Sequence, residues 1–205
     1  MSNNVNVINR AEKDLSVIVN NVDGNIQIII DKKNSTIDLL SLKAGEIFNV
    51  DNIEYIVLEQ LANQQTAVIK KELLEDTMKF DSNNNNWKTS NIRELLNKEY
   101  LEKIEKAFGS DRIIEHTVDL LSLDGLDDYG ISTDKVSLLT IDQYRKYRKV
   151  LGANLNKPWW LVTPDSTSSG YSSSCVRFVC SGGDVSYYGC GWGARGVRPF
   201  FIIQS

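Results

Sequence analysis

The sequence predicts an α+β fold, a mixed and mainly antiparallel sheet with two helices, preceded by a small N-terminal β module. Three observations predict it. Short apolar runs broken by turn residues recur from Leu15 to Ile69, two helical stripes follow around Ile92 and Tyr144, and short strand-like runs close the chain. At 205 residues the chain accommodates one main core and an appendage. A hydrophobic fraction of 41%, aromatics at 9% and a formal net charge of -4 describe a globular chain. The acidic balance argues against a nucleic-acid partner, which calls for clustered Lys and Arg. No stretch approaches the roughly 18 apolar residues of a membrane helix, so no membrane insertion is expected. Met1-Ser2-Asn3-Asn4 opens without the basic and apolar regions of a signal peptide, and synthesis in the cytoplasm is expected.

Leu15 to Val19 and Ile26 to Ile30 read as strands around Val22-Asp23-Gly24-Asn25, where Asp-Gly suits a tight hairpin turn. Asp31-Lys32-Lys33-Asn34-Ser35 reads as a polar linker, separating residues 1–36 from a main domain, residues 37–205. So short an N-terminal segment can hardly bury a core alone. It is expected to attach the domain to an assembly or to make it a homo-oligomer. Ile47 to Val50, Ile53 to Leu58 and Thr66 to Ile69 form an antiparallel meander. Ser90 is placed to N-cap a helix that runs to Phe108 and stops at Gly109, with Ile92, Leu95, Leu96, Leu101, Ile104 and Phe108 on its apolar stripe. Leu120 to Leu123 and Val136 to Leu139 read as short strands. Thr140 and Gln143 have capping-box spacing for a second helix closed by Gly152. Its Arg145, Lys146, Arg148 and Lys149 read as a solvated face, with Tyr144 and Tyr147 buried. Trp159 to Val162, Val176 to Val179 and Phe200 to Ile203 are the last strands, with Gly182-Gly183-Asp184 as a turn between the latter two.

The tail follows a different compositional rule. From Pro158 to Ser205 there is no Lys and no Glu, and the three cysteines, Cys175, Cys180 and Cys190, all lie within sixteen residues. An odd number cannot all pair within the chain, and a single bridge from Cys190 to Cys175 or Cys180 stays open. Tyr171, Tyr187, Tyr188 and Trp192 sit among Ser and Gly, the mixture of rigid aromatic and adaptable polar residues found in antibody paratopes. Trp87, Trp159 and Trp160 lie beside regular structure and are read as core.

Several patterns in the chain point elsewhere and are set aside. Gly191-Trp192-Gly193-Ala194-Arg195-Gly196 spells G-x-G-x-x-G, but Val197-Arg198-Pro199 follows where a dinucleotide site needs a helix. His116 has neither a second histidine for a metal nor a nucleophile elbow, and reads as a surface or half-buried residue. Asp165 and Asp184 alone do not make a calcium site. No cofactor or metal is expected.

Asn84-Asn85-Asn86-Trp87, continuing to Ile92-Arg93, Trp159-Trp160-Leu161-Val162-Thr163-Pro164 and Gly196-Val197-Arg198-Pro199 carry a resemblance. In this order they resemble a bacterial and prophage domain family of unknown function with the motifs NNW…IR, WWL-x-[ST]P and a terminal GVRP. The resemblance spans roughly 41–205; family members commonly have Arg at the position of Val162. The family is similar in turn to the C-type-lectin-fold variable proteins of diversity-generating retroelements, phage tropism determinants among them. The resemblance implies a C-type-lectin-like fold and a hypervariable C-terminal segment that a reverse transcriptase diversifies at adenines. Ser, Tyr, Cys, Gly and Asp between Ser172 and Arg195 are residue types reachable from an asparagine codon in that way, whereas Trp192 is not. Val176, Phe178, Val179, Val185 and Val197 look like the fixed frame.

The resulting expectation is a non-enzymatic receptor- or ligand-binding protein associated with a virion or a cell surface. Its binding face would comprise Tyr171, Ser173, Ser174, Cys175, Arg177, Cys180, Ser186, Tyr187, Tyr188, Cys190, Trp192 and Arg195, directed at a surface protein or glycan of a target cell. Arg198 is expected to make an ion pair or backbone contacts. One alternative comes from Cys175-x4-Cys180, which resembles the cysteine pair of copper-dependent formylglycine-generating enzymes. A structural phage protein with a buried tail is the other.

Overall fold

A computed structural model of the chain describes residues 15–22, 25–32 and 37–205, the first two stretches by backbone alone. The chain divides into two units, Met1–Asp38 and Leu39–Ser205. In the first, β1 (Leu15–Val22) pairs antiparallel with β2 (Asn25–Lys32). Asp31 and Lys32 thus extend a strand where a linker was expected. The Asp23-Gly24 turn and the remaining linker residues lie outside the described residues.

The second unit is α+β. It opens with β3 (Ile47–Val50), β4 (Ile53–Leu61) and β5 (Gln65–Lys70), the expected meander. Asp51 and Asn52 turn the first hairpin with φ of 50° and 64°, and the Asn49 side chain accepts the Asn52 N–H at 3.0 Å. Helix α1 (Asn91–Leu95) continues through a π-helical turn, Leu96–Tyr100, into α2 (Leu101–Phe108). Next come β6 (Ile113–Ile114), β7 (His116–Asp119), β8 (Ile131–Asp134), β9 (Val136–Ser137) and α3 (Ile141–Tyr147). The chain ends with β10 (Trp159–Pro164), β11 (Cys175–Val179), β12 (Val185–Gly189) and β13 (Phe200–Gln204).

The last strand occupies the middle of the main sheet. β13 pairs antiparallel with β5 on one side and with β6 and β9 on the other. Because successive side chains alternate faces, Phe200 and Ile69 turn toward α3 and Trp159, while Phe201 joins Phe48, Tyr55 and Phe108 beneath α2. Both faces are covered, which is why these strands are apolar throughout rather than alternating. β10, β11 and β12 form a separate three-stranded antiparallel sheet with β12 at its edge, and β7 and β8 form a hairpin.

Both helix starts follow the expected side-chain chemistry. Ser90 accepts the Arg93 N–H, and Thr140 and Gln143 form the full capping box. Gly109 closes α2 with φ of 103°. The stripe differs from expectation, since Tyr100 is buried and Leu95 and Leu101 are only half-buried. Residues 92, 96, 100, 104 and 108 are four apart, a spacing that drifts around a 3.6-residue helix. The wide π turn takes up that drift. It also presents Asn97 to β9, where its amide bonds both the N–H and the C=O of Val136.

Four further expectations shift. Leu120 to Leu123 is not a strand; the strand lies earlier, at β7. Only Val136 and Ser137 of the next run pair. α3 ends at Tyr147, well before Gly152, whose φ of 74° belongs to the following loop. Gly183 turns β11 into β12, a strand that sequence reading did not identify.

His116 is buried, contrary to expectation. Its Nε2 lies 2.9 Å from Ser137 Oγ, its ring stands edge-on to Phe200, and Nδ1 has no partner among the described residues. Burial lowers its pKa to about 4, against a smaller opposing pull from Asp134. The unfolded chain therefore takes up this proton near pH 6.5 while the folded protein resists it. Stability should fall as pH drops from about 6.5 to about 4, with His116 contributing up to ~3 kcal/mol of the loss. Urea midpoints at pH 7 and pH 4.5 should fall less for His116→Gln than for the parent; equal falls would refute this.

Candidate binding face

The tail begins with a loop, 165–174, that is held from outside. Asn85, fully buried, donates from Nδ2 to the carbonyls of Ser166 (2.8 Å) and Cys175 (2.7 Å), and accepts the Tyr129 hydroxyl at 2.8 Å. Its own N–H donates to the Ser173 carbonyl at 2.8 Å. The neighbouring motif residues lock the scaffold behind it. Asn86 caps the short helical turn Trp87–Thr89, and buried Asp134 accepts from Trp87 Nε1, Arg93 Nε and the Ser132 hydroxyl. On the loop's outer side, Asp128 accepts from the Thr167 hydroxyl and the Ser169 N–H; those bonds hold its carboxyl below the usual range.

The other two motifs also serve as frame. Trp160 Nε1 donates to the Met78 carbonyl at 2.9 Å, and Thr163 Oγ1 accepts the Ile141 N–H. Arg198 is buried over Trp159 and donates to the carbonyls of Lys70 (3.0 Å) and Lys71 (2.8 Å). Its contacts are thus with backbone, and burial lowers its pKa to about 10, so it stays charged at neutral pH. Gly196 lies so close to Leu73 that a Cβ would fall 2.3 Å from its Cδ1.

The twelve expected face residues do not form one patch. Residues paired across β11 and β12 share a side, so Arg177 and Tyr187 face one way while Tyr188, with Ser186 and Phe178, faces the other. On the first side Arg177 pairs with buried Asp165 and lies 5.3 Å from the Tyr187 ring centroid. On the second side Arg195 stacks on Tyr188, Phe178 and Trp160 at 4.1, 4.5 and 5.5 Å from the ring centroids. Trp192 meets Tyr188 edge-on. Glycines permit this packing: a Cβ on Gly189 would strike the Trp192 ring at 2.7 Å and one on Gly193 the Tyr188 ring at 3.0 Å. Of the three glycines in the G-x-G-x-x-G spacing only Gly193 faces an aromatic ring; Gly191 lies against the Ser82 backbone and Gly196 against Leu73.

Exposure separates the candidates. Trp192 is 79% exposed, Tyr171 67%, Tyr187 55% and Tyr188 37%, whereas Trp87, Trp159 and Trp160 are buried as expected. Ser173, Ser174, Cys175, Arg177, Cys180, Ser186 and Arg195 are half-buried. Cys190 is only 3% exposed, and its N–H donates to the Ser174 carbonyl, so this residue belongs to the frame and not to the face. Burial pushes the Cys190 thiol pKa up, and nearby Asp81 adds to the shift. Cys180 is raised by burial and then by Asp184. All three cysteines are free. Cys175 opens β11 and Cys180 follows its last residue, roughly 16 Å away at the strand rise per residue, too far to share one metal ion.

Among the described residues no group of three or more His, Cys, Asp or Glu could hold a metal ion, and no helix is long and apolar enough to cross a membrane. No family model, curated protein or solved structure matches this chain. Sequence reading missed Asn85 and Asp165 as organising residues. For Asn85 the signal was its place in the NNW motif beside a tryptophan, though which of the two asparagines is buried is decided only by tertiary contact.

Replacing Asn85 with Ala would strip the Ser166 carbonyl and the Tyr129 hydroxyl of buried partners. We expect a stability loss of about 3 kcal/mol by urea unfolding, with faster amide exchange near Ser173 and little change in β13. A loss under ~1 kcal/mol would show that the loop is held by other means.

Proposed function

We propose that this chain is a non-enzymatic binding protein that presents the β11–β12 hairpin and its flanking loops to a protein or glycan on a target cell. The frame is C-type-lectin-like, of the kind used by retroelement-diversified variable proteins of phages, prophages or bacterial surfaces. The chain acts at a virion or cell surface, with residues 1–36 attaching it or joining copies of it.

One observation carries the reading: Tyr171, Tyr187, Tyr188 and Trp192 are all exposed on or beside one edge hairpin, while the other three tryptophans are buried. Four large aromatics exposed within one hairpin and its flanking loops offer contact area at little entropic cost on binding. The half-buried serines around them supply adaptable hydrogen bonds. No observation favours the copper-oxidase alternative, given the separation of Cys175 and Cys180.

The double variant Tyr187→Ala, Trp192→Ala removes two side chains that are each more than half exposed. Binding to target cells should be lost while the melting temperature moves by no more than about 4 °C. Retained binding, or a much larger fall in melting temperature, would sink the display reading. Diversification has its own check in the neighbouring DNA: a reverse transcriptase gene, and a near-copy of the 3′ coding segment with adenines at the codons for Cys175, Tyr187 and Tyr188.

A further inference from the structure

We propose that Arg195 is the anchor of this surface and takes the carboxylate of an acidic side chain on a protein partner; the inference rests on reading the hairpin as a binding face. The backbone of Arg195 is fixed by two hydrogen bonds with Met78, each 3.0 Å. Its guanidinium is fixed by stacking on Tyr188, Phe178 and Trp160. Most of the conformational cost of ordering a long side chain is thus met before a ligand arrives.

What this ordered cation lacks is a counter-charge. Among the described residues, Arg93 pairs with Asp134, Arg145 with Asp142 and Arg177 with Asp165. Arg198 has no carboxylate but is sealed against two carbonyls. Arg195 makes no ion pair, and its Nη1 donates only to the adjacent Ala194 carbonyl, at 3.3 Å and at an exposed position. Nη2 has no partner among the described residues, and Nε is buried without one. A planar group with Nη2 free and Nη1 engaged only at its own neighbour's carbonyl can take a carboxylate bidentately. Trp192 stands edge-on to the same Tyr188 ring on which Arg195 lies, so a partner that covers Tyr188 and Trp192 would exclude water from the pair and strengthen it.

Charge and residue type select the occupant. From Pro158 onward the chain carries three arginines against two aspartates, although its net charge is -4. On the clamp's own side Tyr188 and Trp192 are exposed, while Tyr187 lies on the other side of β12 and Tyr171 in the preceding loop. Tyr, Trp and Arg are also the residues that dominate protein–protein hot spots.

The test titrates a capped Gly-Glu-Gly tripeptide, its Gly-Gln-Gly counterpart and N-acetylneuraminic acid into the full chain, following the Trp192 indole and Arg195 guanidinium resonances by NMR. The glutamyl peptide should bind saturably at millimolar concentration, about 10-fold tighter than the glutaminyl one. The preference should vanish in Arg195→Gln and weaken in Arg195→Lys, with amide spectra confirming that both variants are folded. Equal response to the two peptides, or a glutamyl response that survives Arg195→Gln, overturns the proposal. Binding of the sugar acid through Arg195 with the peptide silent also overturns it, in favour of an acidic glycan. In the cell-binding assay, loss with Tyr187→Ala, Trp192→Ala but not with Arg195→Gln would remove the carboxylate anchor and leave the binding face standing. Loss with neither would remove both.

Discussion

Asn85 joins two halves of the main unit that are far apart in sequence. Its side chain and N–H engage Ser166, Ser173, Cys175 and Tyr129, so one buried residue fixes both ends of the loop that leads into β11. The start of β11 sets its register with β12, and that register decides which side of the sheet each tyrosine faces. Inside a protein, an amide with its hydrogen bonds filled is worth more than one in water, and an unfilled one costs more. The placement of the exposed hairpin therefore depends on an interaction buried well beneath it.

The three arginines of the tail show how one residue type is put to separate uses. Arg177 is neutralised by buried Asp165 and helps tie β11 to the end of β10. Arg198 gives its donors to two backbone carbonyls in the core, accepting a lowered pKa as the consequence of burial without a carboxylate. The Arg195 guanidinium lies on rings, with one bond to the adjacent Ala194 carbonyl, and keeps other donors free. Composition could not separate these fates. They are settled by which carboxylate or carbonyl the fold brings within reach.

The elements most legible in sequence were those with local causes. Ser90, Thr140 and Gln143 cap helices through contacts within one turn, and Asp51-Asn52 turns a hairpin through its own backbone preferences. The stripe of α1 and α2 was legible in kind but not in detail, because the π turn arises where Asn97 meets Val136. β12 escaped notice because an edge strand with Tyr187 and Tyr188 exposed on opposite sides has no alternation to detect. Cys190 was expected at the surface by analogy with its neighbours. It lies inward because its N–H donates to the Ser174 carbonyl and its C=O accepts the Phe80 N–H, which pins the segment after β12.

The contacts holding the tail are made largely to its backbone. Asn85 grips carbonyls of Ser166, Ser173 and Cys175; Phe80 takes the Cys190 carbonyl; Met78 takes both backbone groups of Arg195; Leu74 takes the Val197 carbonyl. None of these depends on the identity of the side chain it holds. What does depend on identity lies in the frame: Trp160, Thr163 and Arg198, the glycines beneath Trp192 and Tyr188, Gly196 against Leu73, the buried Val176, Phe178 and Val179, and the Asp165–Arg177 pair. A surface gripped by its main chain can exchange Ser, Tyr or Cys at exposed positions for near the small cost of a typical surface substitution. That is the physical property a diversified binding surface requires, and it supports the proposed role independently of any single ligand.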